Sequence, residues 1–101
     1  MPKFSVEVPH DVEQAEAAVR LRTFSERVRA DLPGEVKDLQ EIWHEEGHLD
    51  FSFRAMGFSV SGRMENRIGI IYVFGTIPFA ALPFRGAIER QLAEKVREAI
   101  A

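Results

Sequence analysis

The chain has 101 residues, 46% hydrophobic and 29% charged, with 13 Lys and Arg against 16 Asp and Glu. A domain of this length buries roughly 60–70% of the surface its unfolded form exposes, which supports one core and not two. A formal net charge of −3 without any basic run argues against a nucleic-acid binder, and the absence of cysteine excludes disulfides, thiolate zinc sites and cysteine nucleophiles.

The amino end, Met1 to Val8, alternates polar and apolar residues instead of forming the apolar block of a signal peptide, so a cytoplasmic location is expected. Phe4, Val6 and Val8 mark a half-buried strand closed by Pro9. Asp11 and Gln14 have capping-box spacing, which predicts a helix starting at Asp11. Ala17, Leu21, Phe24, Val28 and Leu32 form its apolar stripe, and Pro33-Gly34 ends it. Val12, Ala15 and Val19 fall on another side and are expected to meet the loop before the last helix. A strand is expected from about Lys37.

From His48 to Ala55, Leu49, Phe51, Phe53 and Ala55 alternate strictly with polar residues, and after a Met56-Gly57 turn Phe58, Val60, Gly62 and Met64 do the same. Asn66-Arg67 reads as the next turn, leading into a strand from Ile68 to Phe74 that is apolar on both faces and needs cover on the second. Pro83 suits a first helical position, with Phe84, Ile88, Leu92, Val96 and Ile100 on one face of a final helix. The expected fold is a single α+β domain of order β-α-β-β-β-β-α, an antiparallel sheet with two helices on one face.

His44-Glu45-Glu46-Gly47-His48 spells the H-E-x-x-H of zinc hydrolases. That chemistry needs both histidines on one side of a helix, whereas Gly47 and the strand beginning at His48 predict a three-residue hairpin loop. Solvated turn histidines are the expectation, for His10 as well. Glu45, Glu46, Asp50 and Glu65 are not forced into a pair by their spacing, and Ser59 and Ser61 lack a glycine elbow. Gly69 and Gly75 sit in a strand pattern rather than a phosphate-cradling turn. No catalytic residue, metal or cofactor is assigned.

The feature that stands out is apolar. Ile68 to Phe84 is bordered by Arg67 and Arg85, and Gly69, Gly75, Pro78 and Pro83 rule it out as a membrane-spanning helix. It reads either as a central strand with a loop over the core, or as a patch in which Ile71, Val73, Phe79 and Leu82 bind a partner, a second copy of the protein or a hydrophobic surface.

Pro9-His10, Gly57-Phe58-Ser59-Val60-Ser61-Gly62, Gly75 and, above all, Leu82-Pro83-Phe84-Arg85-Gly86-Ala87-Ile88-Glu89 resemble the polyhydroxyalkanoic acid system proteins, the bacterial polyhydroxyalkanoate granule region family. The likeness runs nearly end to end, departing in the longer Thr76 to Ala81 approach to Pro83 and in the His44 to His48 turn. It implies an accessory role in polyhydroxyalkanoate storage metabolism, with the granule surface or granule proteins as partners, and supplies no catalytic residues. The alternatives are a helix-on-sheet pocket for an acyl or lipid ligand, a homodimer formed through the last strand, and the zinc hydrolase.

Overall fold

The computed structural model describes residues 1–31, 36–55 and 57–101. Leu32, Pro33-Gly34 and Met56, which figure in the expected helix end and turn, lie outside them. Five strands, β1 (Lys3–Pro9), β2 (Lys37–Trp43), β3 (Leu49–Ala55), β4 (Phe58–Arg67) and β5 (Ile70–Thr76), form one antiparallel sheet in the order β1-β5-β4-β3-β2. Helices α1 (Gln14–Leu21), α2 (Phe24–Asp31) and α3 (Arg85–Ile100) cover one face, and 3₁₀ turns occupy Glu45–Gly47 and Phe79–Phe84. The α+β architecture is the expected one, except that the first helix is two.

Thr23 divides it. The Thr23 hydroxyl donates to the Arg20 carbonyl at 3.0 Å, and the amides of Arg22 and Thr23 reach back only three residues, to Val19 and Arg20. This local side-chain bond competes with the helical ladder and turns the chain before α2 begins. The start of α1 also differs from expectation. Gln14 points its amide at the Asn66 carbonyl (2.9 Å) rather than closing a capping box, so the helix begins there and not at Asp11.

Core residues come from the alternate positions that the period-two pattern selects: Phe4, Val6 and Val8 on β1, Leu49, Phe51 and Phe53 on β3, Val60 and Met64 on β4. Ala17, Leu21, Phe24 and Val28 descend on them from α1 and α2, and Leu92, Val96 and Ile100 from α3. The β4–β5 turn falls at Ile68-Gly69, two residues later than expected, with Arg67 opposite Ile70 and Gly69 at φ 78°. A two-residue hairpin loop needs positive φ, which Gly69 adopts without strain, whereas a turn at Asn66-Arg67 would impose it on Arg67.

Gly62 and Gly75 face each other across β4 and β5. A Cβ on Gly75 would lie 2.0 Å from the Ser61 carbonyl oxygen and 2.6 Å from the Gly62 Cα, so only paired glycines permit this backbone approach. Both sheet edges are modified. On β1 the Glu89 carboxylate of α3 accepts the Ser5 amide at 3.0 Å. On β2 the register shifts between Lys37 and Gln40, around Asp38 at φ 55°.

Candidate functional site

The expected patch divides in two. Ile71 and Val73 are fully buried: Ile71 lies between Val8 and Asn66, and Val73 between Val6 and Met64, all beneath the helices. They belong to the core, which corrects their assignment to a binding surface. Strand β5 is also paired on both sides, with β1 and β4, so a dimer joined along this strand has no edge to use.

Phe79 and Leu82 behave as a surface pair, with Phe79 73% exposed and Leu82 38%. A 3₁₀ turn has three residues per turn, so positions 79 and 82 stack on the same side. Ile77 and Ala81, both wholly buried, pin the segment from beneath, and the Ile77 amide donates to the Pro2 carbonyl at 3.0 Å. Phe79 and Leu82 are thereby held outward on a fixed support.

Two further side chains join them. Phe84, expected at the head of the final helix's apolar face, precedes α3 and is 46% exposed. It packs against half-buried Phe58 at the start of β4, with ring centroids 5.7 Å apart. Phe79, Leu82, Phe84 and Phe58 all lie at the end where β5 leaves the sheet, which is the apolar tip of the molecule. The sequence held a sign of it, because Phe79 to Ile88 contains a single charged residue, Arg85.

The sheet face away from the helices is covered by its own side chains. Ile70, Tyr72 and Phe74 of β5 are half-buried there, Tyr72 and Phe74 contact at 5.1 Å, and the Arg67 guanidinium lies over Tyr72 at 5.1 Å. Arg67 is also paired with Glu65. Asp50 takes two hydrogen bonds from Arg63, at 2.6 and 2.9 Å, and a third contact from His44 at 2.8 Å. Arg63 first, and His44 after it, hold the Asp50 carboxyl down at about 2, so it is an ionised structural partner and not an acid poised near neutrality. The same contact raises the Arg63 guanidinium above its ordinary value. A shallow depression of about 810 Å³ crosses this face, with Lys3, Asp50, Ser61, Arg63, Phe74 and Arg85 among its walls.

The two histidines of the H-E-x-x-H sequence go to different partners. The segment is a strand end, a 3₁₀ turn with Gly47 at φ 85°, and a strand start; the His44 ring meets Asp50, while His48 Nδ1 accepts the Asn66 amide at 2.9 Å. The helical geometry that zinc hydrolysis requires is replaced by a hairpin. Among the described residues no group of three His, Asp or Glu is arranged to hold a metal. His10 serves its turn, its Nδ1 accepting the Val12 amide at 3.0 Å, and the Ser61 hydroxyl contacts that of Thr76 at 3.2 Å. Helix α1 rests on the 3₁₀ turn at Glu45–Gly47, where Gly47 abuts Ala18, and not on the segment before α3 as expected; Ala15 and Val19 remain exposed.

Between α2 and β3 the gap lined by Phe24, Val28, Leu49 and Phe51 has a volume of about 10 Å³. An enclosed small-molecule site usually needs roughly 300 Å³ or more, so an acyl chain has no room in this gap. No helix among the described residues is long and apolar enough to cross a membrane. No family model matches the chain, and neither a curated protein nor a solved structure is similar to it.

Proposed function

We propose that this chain is a non-catalytic accessory protein of polyhydroxyalkanoate storage metabolism, acting by hydrophobic association of its tip with a granule surface or granule protein. The observation that carries the association is the outward display of Phe79, Leu82 and Phe84 on a segment pinned by Ile77 and Ala81. The polyester connection is supported by the sequence resemblance, whose longest motif, Leu82 to Glu89, begins inside this tip. At ~25 cal/mol per Å² of apolar area removed from water, covering these rings supplies several kcal/mol before association costs.

Co-sedimentation of the purified protein with polyester granules tests the reading. Enrichment over an unrelated acidic protein is expected, with a marked loss for the Phe79→Ser, Leu82→Ser double variant. Equal pelleting of protein and control would end it.

A further inference from the structure

We infer that the apolar tip is built to sit on an anionic phospholipid surface, with Lys3, Arg54 and Arg85 as its electrostatic collar. The inference rests on the reading that the tip associates with a surface, and specifies the chemistry of that surface.

The three cations surround the tip from different elements. Lys3 of β1 lies opposite Thr76, two residues before the Pro78 that opens the 3₁₀ segment. Arg54 of β3 pairs with Ser59, next to Phe58. Arg85 follows Phe84 directly and opens α3. All three are exposed, and none makes an ion pair among the described residues. Arg20, Arg63, Arg67 and Lys95 are each held by a carboxylate, from Glu16, Asp50, Glu65 and Glu98, while Arg29, Arg90 and Arg97 on the helices are, like the three, without one among the described residues, so it is position that sets Lys3, Arg54 and Arg85 apart.

Most carboxylates that would oppose such docking are placed elsewhere; the exceptions are Asp38, beside the Lys37 that faces Arg54 on the β2 edge, and Asp50, which shares the depression with Lys3 and Arg85 but is held by Arg63. Asp11, Glu13, Glu45 and Glu65 gather around the β4–β5 turn, the start of α1 and the Glu45–Gly47 turn, at the other end of the strands. Glu89, the first carboxylate after the tip, is held to the β1 edge by the Ser5 amide. A chain of net charge −3 thus presents an apolar, positively rimmed end. Apolar side chains entering the headgroup boundary while flanking cations meet lipid phosphates is the arrangement that gives interfacial binding its preference for anionic lipid.

Sedimentation with vesicles of phosphatidylcholine alone, and of phosphatidylcholine with about one third phosphatidylglycerol, separates the possibilities. The wild-type chain should bind the mixed vesicles at least about tenfold more tightly, and more weakly as salt rises. Lys3→Glu with Arg85→Glu should remove that preference, while Phe79→Ser with Leu82→Ser should abolish binding to both vesicles; circular dichroism confirms that each variant is folded. Equal binding to the two compositions, a preference that survives the charge reversal, or capture of an acidic protein without any vesicle binding would overturn the inference. Polyester pelleting is read in parallel. Pelleting with no anionic preference removes the inference and leaves the proposed function standing, whereas anionic vesicle binding with no polyester pelleting does the reverse.

Discussion

The two ends of the strands are finished by opposite means. At the β4–β5 turn, polar groups lock to one another: the Asn66 amide nitrogen donates to the Gln14 carbonyl at 3.0 Å, Gln14 returns a bond to the Asn66 carbonyl, and His48 receives the Asn66 backbone amide. At the other end Phe79, Leu82 and Phe84 face outward. Mutual hydrogen bonds between buried groups fix one geometry, whereas exposed apolar side chains contribute little to folding and leave their area open to be covered. On the proposed function, stability and association fall to different ends of one sheet.

Mutations can break that contrast, and the largest effect should come from the locked end. Gly47 has φ 85°, and a Cβ there would lie 2.9 Å from the Ala18 Cα, so Gly47→Ala combines backbone strain with a clash against α1. A loss of about 3 kcal/mol is expected in denaturant unfolding. Asn66→Ala should follow at about 2 kcal/mol, because Asn66 is 1% exposed and its loss leaves the Gln14 carbonyl without that donor. A shift in midpoint with unchanged slope would show that the native contact is what was lost.

Asp50 offers a milder test through pH. Its folded-state value, about 2, lies below the ordinary 3.8, so the unfolded chain binds the proton more readily. The contribution is fully present above pH 4 and is lost as pH falls from there toward 2. Because the Asp50–Arg63 pair is partly open to solvent, about 1 kcal/mol is the expected size after allowing for screening. Melting curves across that window should show a steeper fall for the wild type than for Asp50→Asn.

The smallest stability effect belongs to the tip. Phe79→Ser should change unfolding free energy by no more than about 0.5 kcal/mol, while weakening granule pelleting. If it cost as much as Asn66→Ala, Phe79 would be acting as core and the division between the two ends would disappear.

Strict alternation made β3 and β4 readable, since one polar and one apolar face leave only one way to lay each strand down. Strand β5 resisted for the opposite reason: with Ile70, Tyr72 and Phe74 on one side and Ile71 and Val73 on the other, period two alone does not say which set is inside. Hairpin register decides it. A turn at Ile68-Gly69 puts Val73 opposite Met64, which already belonged to the apolar face of β4, and leaves Tyr72 and Phe74 to the arginine-covered face. Asp11 and Gln14 misled because a capping box is a local pattern, and Gln14 was drawn away by Asn66, fifty-two residues later. Phe79 and Leu82 were legible as exposed candidates, but Phe84 and Phe58 were hidden within the periodicities of a helix and a strand.

The interrupted β2 edge has a consequence for the proposed surface association. An intact, flat outer strand would template the next chain through its backbone and invite fibre growth whenever many copies crowd together. With the ladder broken between Lys37 and Gln40 and Asp38 twisted to φ 55°, the outer strand offers no continuous row of donors and acceptors. The Glu89 carboxylate blunts the opposite border. If the tip gathers many copies on one surface, as proposed, neither border offers them an unbroken strand along which to polymerise.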